Sequence, residues 1–318
     1  MAKYTFLVPA FKPDFLDIAI GSMLSQSFED FNIIISNDCS PYDLKSIVDR
    51  YKDIRITYRE NPTNIGGYRL VDHWNKLVEL CDSPYLIIAA DDDIYDSNFL
   101  ADVDNKCKEY PQVDVIRART CRINGVDDVI DIEGIFDSFG NVVDAIYNSF
   151  CSNQIWCVGN YVFKTETLKR KGGFIDFPYA WFSDLATALM MSRNGICYTT
   201  HFGFKFRLSE TNISSSKKNK LIDRQKLLAT IEFGEWLYDF IKEIEVPTDI
   251  LSIRRKTSAI HNAKNIIYSQ IGDYGWSIGY LDFIKMYRRI SKWPDFSKGS
   301  FVKNYTLAAL SRKIGKYV

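Results

Sequence analysis

Short apolar runs alternate with segments of helical period through the first third of the chain. Residues 4–8, 31–36, 54–58 and 85–90 are strand-length runs bounded by turn residues, and they read as strands, the first and the last of them buried. Pro9 closes the first of them, and Asn37-Asp38-Cys39-Ser40-Pro41 closes the second. Between the runs, residues 14–26, 43–51, 68–81 and 97–109 have helical spacing, with Asp14 at the first N-cap position. Strand and helix in strict alternation predict a doubly wound α/β fold, its mostly parallel sheet covered by helices on both faces. Ligands of such sheets sit outside the C-terminal ends of the strands. That rule gathers Phe11, Asp38 and Asp91–Asp93 on one edge, although they are distant in sequence.

The pattern then changes. Residues 113–119 read as a strand, Asn124-Gly125 as a hairpin turn, and the acidic stretch 126–140 as an exposed loop. A short helix is expected at 142–150, a turn at Lys171-Gly172-Gly173-Phe174, and a helix at 183–193 with Ser183 or Asp184 at its start. Two strands, 196–200 and 202–208, precede a polar, mobile loop at 209–220. Everything beyond is helical: 221–244, 248–269, 277–290 and 300–316. The loop divides the chain into an α/β part, 1–210, and a helical part, 211–318.

Composition narrows the class. The 318 residues are 46% hydrophobic and 14% aromatic, enough for a large core, and carry no net charge. The balance is uneven, because thirteen Lys or Arg lie beyond residue 250, opposed by Asp273, Asp282 and Asp295. A neutral chain without a nucleic-acid motif argues against a nucleic-acid partner. Seven cysteines without CxxC spacing suggest neither a zinc site nor a disulfide framework, and fit a reducing cytoplasm. The N-terminus enters a strand directly, and no apolar run is long enough to span a bilayer.

Candidate chemistry centres on Asp91, Asp92 and Asp93 at the end of a buried run. Adjacent carboxylates repel and need a cation or a set of donors. A divalent metal bridging to a phosphorylated ligand is one answer; a solvated acidic turn capping the next helix is the other. Asp184 stands between apolar neighbours at a helix start, as a base or simply as a dipole-favoured first-turn acid. The three histidines have no matching nucleophile motif.

The ordered set V-P-A-F, I-I-I-S-N-D-C-S, N-x-G, A-D-D-D-I-Y, G-G-F and F-S-D-L resembles the family 2 glycosyltransferases of GT-A fold, of bacterial polysaccharide type, over residues 3–210. The resemblance implies an inverting transfer from a nucleotide-diphosphate sugar, a UDP-sugar by preference, to a hydroxyl of a glycan or lipid-linked acceptor. It places Pro9, Ala10 and Phe11 at the donor, Phe11 against the base, and Asp38 at the uracil ring. Asp91 and Asp92 meet the donor through the DxD-type motif, and Asp92 or Asp93 holds Mn²⁺ or Mg²⁺. Asp184 becomes the general base. Two departures stand out: Trp74 replaces an arginine that meets the diphosphate in relatives, leaving Arg69 for that contact, and Ser209 replaces a histidine.

Two competing functions are a sugar-1-phosphate nucleotidyltransferase and a non-catalytic nucleotide- or glycan-binding protein. The first normally carries a Gly-rich loop after its first strand, and Pro9-Ala10-Phe11-Lys12-Pro13 has no glycine. For the basic, aromatic tail the alternatives are an anionic membrane at the inner face of the plasma membrane, a second subunit, or the catalytic domain itself. On its last helix Leu307, Leu310 and Ile314 share a face expected to dock on protein. Phe301, Tyr305, Arg312, Lys313 and Lys316 form the side expected to meet lipid.

Overall fold

A computed structural model describes residues 1–209, 212, 219–294 and 296–314. The first half alternates as β1 (Tyr4–Ala10), α1 (Leu16–Leu24), β2 (Phe31–Asn37), α2 (Leu44–Val48), β3 (Ile56–Glu60), α3 (Gly66–Glu79) and β4 (Tyr85–Ile88). Next come β5 (Ile94–Tyr95), α4 (Phe99–Glu109), β6 (Val115–Ile123), β7 (Val129–Ile132), β8 (Phe139–Gly140) and α5 (Val142–Cys151). The sheet is completed by β9 (Tyr161–Lys164), α6 (Thr165–Arg170), α7 (Ser183–Met191) and β10 (Ile196–Arg207). Four long helices follow: α8 (Lys220–Glu243), α9 (Ile250–Tyr274), α10 (Tyr280–Ile290) and α11 (Lys298–Ile314).

One sheet runs through the molecule in the order β3-β2-β1-β4-β9-β6-β10-β5. Its first four strands are parallel, as the alternation predicts. The hand of the pairing then changes, because β9 inserts antiparallel between β4 and β6. Both faces are covered, one packing α1, α2 and α4, the other α3, α5 and α7. Pro9 does not end β1. β4 pairs with β1 only to Leu7, so a residue lacking an N–H is tolerated where one neighbour has gone. Asp14 is not the N-cap of α1; Phe15 takes that position without a side-chain bond. The two expected strands after residue 195 are one, β10, whose register against β6 shifts on either side of Phe202.

The acidic stretch 126–140 is no simple loop. Asn124-Gly125 does turn a hairpin into β7, but Glu133 and Phe136 are then buried. Glu133 accepts two bonds from the fully buried Arg117, both 2.7 Å, and others from the amides of Thr120 and Ile155. Burial opposes the Arg117 charge, and Glu133 more than restores it, so the guanidinium stays protonated.

The helical part shares a core with the sheet's second face. Phe182 stacks on Phe233 of α8 at 4.3 Å, and Trp293 fills the space left by Gly234. The expected faces of α11 are reversed. Phe301 is buried, and Tyr305 packs against Phe283, while Leu307 and Leu310 are about half exposed. Aromatic partners from α9 and α10 form the larger apolar surface, and α11 docks on it. The side chains of Arg312, Lys313 and Ile314, Lys316, and most of the polar loop with the expected boundary at 210–211, lie outside the described residues.

Removing one partner of a buried ion pair leaves an uncompensated charge, at a cost of about 3–5 kcal/mol. Glu133→Ala should therefore lose about that much in urea unfolding, and Arg117→Met/Glu133→Leu should lose clearly less.

Candidate active site

At the C-terminal ends of β1, β2 and β4 the sheet opens into a cavity of about 580 Å³. Its lining joins Pro9, Phe11, Lys12, Asp38 and Asp91–Asp93 to Trp156, Tyr179, Trp181, Asp184 and Gln270. The position follows from topology: parallel strands end together, so their following loops meet although the sequence separates them.

The three adjacent aspartates are buried, and each is met differently. Asp91 accepts from the amides of Phe11 (2.7 Å) and Lys12 (2.8 Å), which fixes the loop after β1. Asp93 accepts from the amide of Arg207 at 2.8 Å, at the end of β10. Between them, Asp92 has Lys12 Nζ at 3.7 Å, and its carbonyl accepts from Arg207 Nε at 2.7 Å. Burial, reinforced by the charge of Asp91, pushes Asp92 up to about 6 against the pull of Lys12 and Arg207. Asp93 is raised by burial and by Asp92, and Asp91 by burial in spite of its two amide donors. Arg207 ties the group together, itself fully buried over the Phe15 ring and paired with Asp127 at 2.5 Å.

Asp38 lines the cavity and also starts α3. It accepts from Asn61 Nδ2 (2.8 Å), the Ile65 amide (3.0 Å) and the Gly66 amide (2.6 Å). The turn before Pro41 is capped instead by Asn37, which accepts from the Ser40 amide. Behind Asp38, His73 meets Ser36 and Asn61, and burial holds its pKa below the usual range despite Asp38 at 3.6 Å.

Asp184 enters from the other end. It follows Tyr179, Ala180 and Phe182, all at positive φ (61°, 53° and 68°), a region unfavourable to residues with a Cβ. The helical part holds this loop: Trp181 Nε1 donates to Gln270 of α9 at 2.8 Å, and Lys226 of α8 lies 4.3 Å from the Trp181 ring. Asn75 anchors the preceding turn by accepting from the Phe174 amide at 2.7 Å, and Gly173, at φ +86°, leaves it room. With α7 starting at Ser183, Asp184 bonds to the Leu185 amide at 2.8 Å, and burial pushes its pKa up to about 6.

Two expected donor residues are elsewhere. Arg69 sits at a kink in α3, largely exposed and paired with Asp72; it does not line the cavity, although Gly67 and Leu70 beside it do. Ala10 is completely buried, and its carbonyl accepts from the Asp38 amide. Ser209 bonds Asn212. Conversely, Lys12, Trp156, Trp181 and Gln270 line the cavity without having stood out in the sequence. Lys12 could have been found, standing one residue past the aromatic of the first loop; Gln270 is one polar residue among many on a long helix.

A parallel half-sheet ending in an aspartate cluster, continued by a mixed half that brings a second carboxylate to the same cavity, is the GT-A architecture of a glycosyltransferase. The chain belongs to glycosyl transferase family 2, whose pattern it matches over residues 5–165. Among solved structures it is similar to S. aureus TarS residues 1–349 in complex with UDP-GlcNAc, with TM-score 0.56 and 15% identity over 99% of this chain and 93% of that one. It is also similar to the mannosyltransferase PcManGT from Pyrobaculum calidifontis in complex with GDP-Man and Mn²⁺, with TM-score 0.54 and 15% identity over 98% and 81%. At such identity the likeness is one of fold, and it extends through the helical part. A comparison with curated proteins gave no match.

Asp38→Ala strips acceptors from three donors of the α3 start, a loss of about 1–3 kcal/mol for the buried groups left unpaired. Denaturant midpoints should fall, and amide exchange at Ile65 and Gly66 should quicken. A residue serving only a ligand would leave both unchanged.

Proposed function

We propose that this glycosyltransferase moves a sugar, with inversion, from a UDP-sugar to a hydroxyl of a glycan or lipid-linked acceptor. The carrying observation is that the donor-side aspartates and Asp184 line one cavity, with Asp184 raised to about 6 by burial. A carboxylate in that range is basic enough to take a proton near neutrality and still mostly ionised there.

In this reading Pro9 and Phe11 flank the base and Lys12 faces the diphosphate. Uridine rests on the sequence resemblance and on the UDP-GlcNAc of the TarS complex, since Asp38 already serves α3. Of the three aspartates, Asp92 is the metal ligand we favour, because Asp91 and Asp93 each accept from backbone amides. One carboxylate plus diphosphate oxygens suits Mg²⁺ or Mn²⁺, and the PcManGT complex holds Mn²⁺. Such a cation, when bound, neutralises charge growing on the leaving diphosphate.

This chain's own part is positioning and proton transfer. The acceptor oxygen bonds to the anomeric carbon as the carbon–oxygen bond to the diphosphate breaks, and Asp184 takes the hydroxyl proton. One displacement inverts the centre. No described helix is long and apolar enough to cross a membrane.

Asp184→Asn should lower transfer by about 10²–10⁴-fold while UDP affinity stays near normal. Wild-type activity should be nearly full above neutrality, half lost near pH about 6 and lower still below it, as the Asp184 carboxylate protonates. A pH-independent rate down to pH 5, or an active Asp184→Asn variant, would assign the base elsewhere. Titration calorimetry with UDP and Mn²⁺ should show weaker binding by Asp92→Asn. Equal binding by that variant would remove Asp92 from the metal site.

A further inference from the structure

α10 and α11 run antiparallel, since Phe283 meets Tyr305 at 5.3 Å while Tyr287 meets Phe301 at 5.6 Å. That contact, with Met286, Ile290 and Phe301 buried, uses one face of each helix. The outward faces have a common pattern. On α10, Leu281, Lys285 and Arg288 follow at i, i+4 and i+7, and the exposed Lys292 lies just beyond. On α11, Lys303, Leu307 and Leu310 repeat that spacing. Leu281 is 72% exposed, Leu307 54% and Leu310 49%, so large apolar side chains stand about half or more exposed among cations. Asp282 lies beside them, shared between Arg224 (3.7 Å) and Lys285 (3.6 Å).

We propose that this outward surface of α10 and α11 docks on an anionic lipid surface. Two physical points select that occupant. A protein partner covering the leucines would also strip water from the lysines, and interface cores are depleted in lysine for that reason. A bilayer takes leucine into its boundary layer while long basic side chains keep their charge at the phosphates. Each cation near an anionic leaflet raises partitioning roughly fivefold, and Lys285, Arg288, Lys292, Lys298 and Lys303 are all exposed. The surface also has a place relative to the cavity. Tyr305 closes on Gly275 just past α9, and Gln270, about a turn earlier, lines the cavity wall. The docking helix α11 therefore packs, through its inner face, on the helix that supplies part of the cavity wall. The docking does not depend on the donor or mechanism proposed above.

The experiment is co-sedimentation of the full chain with phosphatidylcholine vesicles, with and without phosphatidylglycerol, at low and high salt. The protein should pellet with the anionic vesicles and be released by salt. Lys285→Gln/Arg288→Gln/Lys292→Gln should weaken partitioning on the order of a hundredfold. Leu307→Ser/Leu310→Ser should weaken it at every salt concentration, with thermal unfolding of both variants unchanged. Absence of pelleting at low salt, equal binding to neutral vesicles, or wild-type binding by folded variants would each overturn the proposal. So would a concentration-dependent dimer, seen by sedimentation velocity and abolished by Leu307→Ser/Leu310→Ser, which would put a second copy on this face.

Discussion

Three carboxylates in a row at the end of a buried strand repel one another, and the fold answers by surrounding them with different parts of the chain. Asp91 takes the amides of the loop after β1, Asp93 takes an amide at the end of β10, and Asp92 is left facing Lys12. The repulsion thus becomes a tie between β4 and two segments roughly eighty and a hundred and fifteen residues away. Backbone amides stabilise a carboxylate without spending side chains that would fill the cavity. The cluster so organises the floor of the cavity, with Asp92 the member that faces Lys12.

The other end of the cavity depends on the helices. Non-glycine residues at positive φ cost on the order of 1–3 kcal/mol each and persist only where the surroundings over-determine them. Tyr179, Ala180 and Phe182 are three such residues within four positions. The Phe182–Phe233 stack, the Trp181–Gln270 bond and Lys226 beside Trp181 are among the restraints, and these three come from α8 and α9. The helical part is therefore more than an appendage: it holds the loop that delivers Asp184, and Gln270 adds a wall to the same cavity. The family pattern ends at residue 165, before this arrangement begins, whereas the likeness of fold to TarS spans 99% of the chain.

Much of the first half was legible because its signals are local. A parallel strand buried on both faces needs a continuous apolar run, and turn residues punctuate it. Residues 4–8, 31–36 and 85–90 therefore fall inside or almost on β1, β2 and β4, with 54–58 displaced by two residues from β3. The aspartate cluster was legible since its members are neighbours in the chain. Phe11, Asp38 and the cluster could be brought to one edge because the parallel order alone requires it.

Tertiary structure decided what no local pattern encodes, namely which surface each residue is buried against. β9 offers four residues, Tyr161–Lys164, and nothing in them specifies antiparallel insertion between β4 and β6. Glu133 looked like part of an acidic loop until Arg117, sixteen residues away, gave it a buried partner. Arg69 has the charge for a donor contact, and only the fold shows it at a kink in α3, exposed and paired with Asp72. α11 carries two apolar stripes, and only the aromatic surface of α9 and α10 selected Phe301 and Tyr305 over Leu307 and Leu310. Sequence determined which segments could bury apolar surface and where charge would crowd. Long-range packing chose the partners, because its free energy belongs to pairs of surfaces rather than to either one alone.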